Sequence, residues 1–286
     1  MRLLAFSDLH IGYEVNRQAL QELPAFPEDW LIVAGDVGET LAQLEWAMDL
    51  LGERFEQLLW VPGNHELYTL PGDACPLRGV ARYEAMVETC QRRGILTPED
   101  PYPLWPGEGP ATRLIPLFLG YDYSFCPAGM SPEVARSWAA EEGINATDEV
   151  LLSPEPYPSR EAWCAARLKA TEERLEQLSR DERWVFINHY PFRYDLVRLF
   201  RVPRYSPWCG TRKTENWHTR YPASVVVSGH LHMRATDWKD GVRFEEVSTG
   251  YPQHWNQDRG LAHYLREILP GSGVVPPGDE GPIWHR

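Results

Sequence analysis

Asp8, His10, Asp36, Asn64, His65, His189, His230 and His232 are the residues whose types and spacing can do chemistry together. They take five of the nine histidines in the chain. Imidazole nitrogens mixed with carboxylate and amide oxygens suit a transition metal such as Mn, Fe or Zn, ahead of Mg or Ni. The set is too large for one tetrahedral zinc. Two divalent or trivalent ions sharing a carboxylate would use all of it except His65. The other histidines, His218, His254, His263 and His285, read first as surface or hydrogen-bonded side chains. His254 is also a candidate substrate contact.

Such residues need elements to bring them together. Short apolar runs at 3–6, 30–34, 58–61, 184–187 and 224–227 each end in a polar cluster that carries members of the set. Runs of this kind read as strands covered on both faces. Helical stretches are predicted over 41–55, 79–94 and 159–179. In the last, Trp163, Ala166, Ala170, Leu175 and Leu178 fall near one face. Alternating strands and helices predict α/β layers. In open α/β sheets, ligand sites form beyond the carboxyl ends of the strands. Five strand ends would converge there.

The ordered segments Asp8-Leu9-His10, Gly35-Asp36, Gly63-Asn64-His65-Glu66, His189 and Gly229-His230-Leu231-His232 resemble the calcineurin-like metallophosphoesterase family. Its pattern is D-x-H, G-D-x-x-D, G-N-H-(D/E), a lone H and G-H-x-H. The resemblance spans residues 8–232. It implies a four-layer fold, two packed mixed β-sheets flanked by helices. It implies that Asp8, His10, Asp36 and His232 hold one metal ion. Asp36, Asn64, His189 and His230 would hold a second, with Asp36 bridging. His65 would be the general acid or a transition-state donor near the leaving group. Two such metals clamp phosphoryl oxygens and acidify a bridging water into a nucleophile. One position departs from the pattern: Glu39 stands where the family has the second Asp of G-D-x-x-D. Glu39 and Glu66 are both candidate carboxylate partners of His65.

Composition excludes other classes. The 286 residues carry a formal charge of −13, which opposes binding to long polyanions and disfavours nucleic acid. No apolar run approaches the ~18 residues of a membrane helix. The five cysteines form no CxxC pair, so zinc ribbons and redox pairs are not expected. The chain opens directly on a strand without a signal-peptide pattern, so a cytoplasmic protein with reduced thiols is expected. The stretch 97–110 reads as a Pro-rich loop. A single domain is expected over residues 1–269, with a cap or insertion around 121–158 holding a short helix near 131–143. A Pro/Gly-rich, loosely held tail follows over 270–286.

The segment from Arg193 to Arg220 holds seven basic residues against Asp195 and Glu215. Both of its ends run into proposed ligands. A substrate loop around 190–220 is therefore expected, with Arg193, Arg201 and Arg204 capturing a phosphate group bidentately. Tyr123 and His254 would form further walls. The expected function is metal-dependent hydrolysis of a phosphate ester, with a small phosphomonoester or nucleotide first. A phosphodiester, cyclic or linear, is the alternative substrate; a nuclease ranks third. The non-enzymatic alternative is a scaffold protein that keeps fold and metals. Oligomeric state is not legible.

Overall fold

Strands buried on both faces set the architecture. The computed structural model describes residues 1–271 and 281–285. Its strands are β1 (Leu3–Phe6), β2 (Phe26–Val33), β3 (Phe55–Trp60), β4 (Thr112–Pro116), β5 (Arg183–Ile187), β6 (Ala223–Ser228), β7 (Ala235–Lys239), β8 (Val242–Glu246), β9 (Arg266–Leu269) and β10 (Ile283–Trp284). Its helices are α1 (Glu14–Gln21), α2 (Leu41–Gly52), α3 (Gly79–Gln91), α4 (Pro132–Ala140), α5 (Asp148–Leu151), α6 (Arg160–Leu175) and α7 (Trp217–Arg220).

The strands form two mixed sheets, ordered β3-β2-β1-β9 and β10-β7-β8-β6-β5-β4. In the first, β1, β2 and β3 run parallel and β9 closes the edge antiparallel. In the second, β4, β5, β6 and β8 are parallel, and β7 and β10 are added antiparallel. Leu3 and Ala5 face Val185, Ile187, Val225 and Val227 across the space between the sheets. Leu4 and Phe6 face the other way, onto a core shared with α1, α2 and α3. Trp184, Phe186 and Val226 face outward onto α6 and Trp217. Side chains alternate with period 2 along a strand, so each sheet has an apolar set on both faces. The result is the four-layer sandwich that the motif pattern implied.

The helix ends follow their capping chemistry. The Thr40 hydroxyl accepts from Gln43 N, and the Gln43 amide oxygen accepts from Thr40 N, a reciprocal box that starts α2. Ser159 caps α6 through Ala162 N.

Parts of residues 121–158 and of the segment after β5 pack on each other, while Leu152 joins the core beside α1, α2 and α3, and Phe192, Leu196 and Trp217 join the core beside α6. Tyr121, Tyr123, Cys126, Ala135 and Ala139 share a small core with Tyr190 and Trp208. The tail expectation over 270–286 falls largely outside the described residues. Of its described part, Ile283 and Trp284 pair with Thr236 and Ala235, so that piece is an edge strand. The five cysteines are free thiols. No described helix is long and apolar enough to cross a membrane.

Candidate metal centre

The candidate ligands all lie two to four residues past a strand's carboxyl end, on the rim where both sheets finish. A seam joins the sheets there. Ser7 N donates to Val247 O at 3.1 Å, and Thr249 N donates to Ser7 O at 2.8 Å. The backbone at this rim is unusual. Asp8, His10, Asp36, His230 and His232 have φ of 56°, 43°, 54°, 72° and 53°. The left-handed region costs a non-glycine residue ~1–3 kcal/mol and clusters at functional sites. Here it turns successive side chains into one cavity. Two glycines permit the close packing. A Cβ on Gly63 would lie 2.1 Å from Asp36 Oδ1, and one on Gly229 would lie 2.3 Å from Ser7 Oγ.

The side chains gather into two adjoining clusters bridged by His10 and Asp36. Asp8, His10 and His232 each bring a donor atom within 4.8 Å of the others, and so do Asp36, His189 and His230. His232 Nε2 lies 2.9 Å from Asp8 Oδ1 and 3.2 Å from His10 Nε2. His189 Nε2 lies 3.4 Å from Asp36 Oδ2 and 3.2 Å from His230 Nδ1. Nitrogens bound to one cation at ~2.1 Å stand about this far apart. The Asn64 side-chain oxygen is buried with no hydrogen-bond partner among the described residues. Its amide nitrogen donates to Tyr68 Oη at 2.9 Å and Asp148 Oδ1 at 3.0 Å, which fixes the amide's orientation and frees the oxygen. A buried polar atom without a partner is costly unless a cation completes it. The donor set therefore fits metal ions.

Outer contacts hold the donors in place. Asp8 Oδ2 accepts from Ser7 Oγ, Ser248 Oγ and His230 N at 2.5, 2.8 and 3.0 Å, leaving Oδ1 to the cluster. His189 Nδ1 donates to Ala34 O at 2.8 Å, which sets the tautomer that presents the Nε2 lone pair. His232 Nδ1 lies 3.0 Å from His254 Nδ1.

His65 stands at the cluster's edge. Its Nδ1 is 3.0 Å from Glu39 Oε1, and its Nε2 is 3.9 Å from Asp36 Oδ2. Glu66 does not support it. The Glu66 carboxylate accepts from Asp36 N, Val37 N and Gly63 N at 2.9, 2.7 and 2.9 Å. It staples two ligand loops together instead, because a residue that follows His65 points to the opposite side of the chain. The longer Glu39 reaches the imidazole that the family's Asp would serve.

Electrostatics agree with this crowding. Burial opposes charge on His65 and on His189, but Asp36 together with Glu39 for the first and Asp8 for the second outweighs it and raises them to about 9 and about 10. Burial lowers His10 and His230 to about 3. Neighbouring imidazoles pushed in opposite directions cannot all hold protons at once.

A cleft of about 360 Å³ opens over the cluster, lined by Asp36, Asn64, His65, His230, His232 and His254. Of the expected substrate contacts, His254 alone lines it. Arg193 is held by Asp195 at 2.9 Å, Arg204 by Glu141 at 2.7 Å, and Tyr123 is buried with its hydroxyl on Glu149 at 2.7 Å. These three brace the walls and do not face the cleft, since each charge or hydroxyl is already satisfied. Arg201 lies beside the centre, on a neighbouring groove. Sequence reasoning did not single out Asn145, Thr147, Leu199 and Val202, which line the cleft beside Tyr205 and Tyr251. It also missed Asp148 and Tyr68. The acidic start of α5 was the one signal available for Asp148.

The family model for calcineurin-like phosphoesterases matches residues 1–234. This chain belongs to that family. It is a metal-dependent phosphoester hydrolase. It is 47% identical over 276 residues to the [acyl-carrier-protein] phosphodiesterase PptH of Mycobacterium tuberculosis, covering 96% of this chain and 85% of that protein. The crystal structure of phosphopantetheinyl hydrolase (PptH) from M. tuberculosis superposes with a TM-score of 0.91 at 47% identity, over 96% of this chain and 98% of that one.

Proposed function

We propose that the chain is a phosphodiesterase that releases the phosphopantetheinyl group from an acyl carrier protein. The observation that carries this reading is the 47% identity to PptH over 96% of the chain. It reverses the order in which a monoester came first and a diester second. The substrate is then a protein-borne diester, and the expected small soluble metabolite gives way to its phosphopantetheinyl arm. The five free cysteines suit a reducing compartment, so we place the enzyme in the cytoplasm.

Asp8, His10, Asp36 and His232 would hold one metal ion, and Asp36, Asn64, His189 and His230 the other. Bound there, the metals supply Lewis acidity to the phosphoryl oxygens and acidify water. The protein's own contribution is orientation and a proton. Asp8, locked through Oδ2, and His189, locked through Nδ1, hold their donor atoms in fixed directions. Glu39 holds the His65 ring so that Nε2 faces the cleft. His65 donates a proton to the leaving oxygen as the phosphorus–oxygen bond to the carrier breaks. The products are free 4′-phosphopantetheine and the carrier's hydroxyl.

The test is incubation of the metal-loaded enzyme with phosphopantetheinylated carrier protein, read by intact mass. The carrier should lose the phosphopantetheinyl group. An unchanged carrier beside rapid turnover of p-nitrophenyl phosphate would return the reading to monoesters.

A further inference from the structure

The cleft over the ligands does not end at His232 and His254. Both residues also line a wider open groove of about 910 Å³ on the side toward β10. Its charge is out of keeping with the chain. Four arginines line it, Arg198, Arg201, Arg234 and Arg259, and among the described residues no Asp or Glu does. The chain as a whole carries −13.

These arginines are not equally neutralised. Arg198 is paired bidentately with Asp237 at 2.6 and 2.8 Å. The Arg234 guanidinium donates to the main-chain carbonyls of Ser248, Thr249, His254 and His285, with no carboxylate in ion-pair range among the described residues. Arg201 is exposed and makes no ion pair among the described residues. Beside it, Phe200 is 79% exposed, and its ring lies 6.5 Å from that of Trp284, itself 39% exposed. Large aromatics left in water beside uncompensated arginines are the composition of an interface, not of an ordinary surface.

We infer that this groove docks an acidic protein face, and, resting on the proposed function, that this face belongs to the carrier protein. The cleft then takes the phosphopantetheine arm, and the diester lies where cleft and groove meet, at His232 and His254. A small ester needs only the cleft. The groove is too open to enclose a small molecule, and Arg201 and Arg234 bring it positive charge with no ion pair among the described residues. At long range a chain of −13 repels an acidic partner. Within a Debye length of ~8 Å the local arginines outweigh that field, so the attraction acts at contact. The groove selects by fit and charge together.

Phe200→Glu and Arg201→Glu test this, with Lys169→Glu as control. Lys169 lies on α6 with its side chain 80% exposed, and its reversal changes net charge as much as Arg201→Glu does and more than Phe200→Glu does. KM for a phosphopantetheinylated acyl carrier protein of net negative charge should rise about tenfold in each groove variant and stay within twofold in the control. Turnover of bis-p-nitrophenyl phosphate, which reads the metal centre alone, should not change. A wild-type KM for carrier protein in both groove variants would overturn the groove assignment while leaving the function intact. An equal loss on the bis-ester would put the effect at the metal centre and also overturn it. Wild-type enzyme that leaves the carrier intact but cleaves the bis-ester would overturn the function, and the groove's partner with it.

Discussion

The floor of the cleft and its walls are built on different rules. The floor consists of five strand ends, and nearly every polar atom there points inward at a shared centre. The walls are residues 121–158 and the segment from Tyr190 to Tyr221, and their polar atoms point at one another. Arg193 meets Asp195, Arg204 meets Glu141 and Glu142, Arg212 meets Glu215, and Arg220 meets Glu172. A charged residue serves a site only if the fold leaves it unpaired. On the floor the backbone itself is strained to prevent internal pairing, with five ligands at positive φ. On the walls Tyr123 is the one non-glycine residue at positive φ, 61°, and most charges pair off.

The largest effects should therefore come from the floor. Asp36→Asn removes the carboxylate that neighbours both clusters. Metal content by elemental analysis should fall below one ion per chain, and phosphodiester turnover by at least about 10³-fold. Metal retention at two ions would break the assignment of Asp36 as the bridge. Next is His65→Ala, which keeps every proposed ligand. Turnover should fall about 10²–10⁴-fold with metal content unchanged, the range for a lost general acid. Loss of metal instead would make His65 a ligand and return the acid role to another group.

This contrast also explains what could be read without a structure. The floor was legible because its chemistry is local. Each motif sits directly after an apolar run, and strand ends in parallel sheets must meet. Asp8, Asn64 and His232 are named by type and spacing alone. Strands β7 and β8 were not legible. Val242–Glu246 is buried throughout although it reads VRFEE. Its charges are absorbed by partners outside the strand, Arg243 on the Ile268 carbonyl, Glu245 near Arg266 at 3.6 Å and Glu246 on the amide of Met233 at 3.0 Å. Pairings of that kind leave no period in the chain. The arginine-rich segment misled for the same reason. Its +5 excess is real, but the carboxylates that absorb it, Glu141, Glu172 and Asp237, lie far off in sequence. Glu39 and Glu66 could not be told apart by spacing because the direction of a side chain depends on the turn that carries it.

One residue crosses from wall to floor. Asp148 belongs to α5, yet its carboxylate accepts from Asn64 Nδ2 and, at 2.6 Å, from Tyr68 Oη. It is fully buried, no Lys or Arg pairs with it among the described residues, and burial raises its pKa. Asp148→Asn swaps one acceptor for a donor and removes the reason for the Asn64 amide to keep its oxygen toward the cluster. Affinity for the second metal should drop about 10–100-fold, the usual loss when a ligand's outer support is removed. The first site should keep its metal. Titration of the apo-protein with Mn²⁺ distinguishes the two steps. If both steps are unchanged, the insertion is only a lid.

The smallest effect tests the walls themselves. Arg204 donates to the Trp138 carbonyl at 2.6 Å and contacts Glu141 and Glu142 at 2.7 and 3.0 Å, tying α4 to the segment after β5. Glu141 and Glu142 are half or more exposed, so solvent screens the ion pairs and leaves them worth little. The carbonyl bond is partly buried and carries most of what remains. Arg204→Ala should then cost about 1 kcal/mol in denaturant unfolding, while turnover of bis-p-nitrophenyl phosphate holds within about twofold. The stability loss should persist in high salt, since a hydrogen bond to a neutral carbonyl is not screened as an ion pair is. A turnover loss of tenfold or more at unchanged stability would mean that Arg204 reaches substrate after all. The walls would then obey the same rule as the floor.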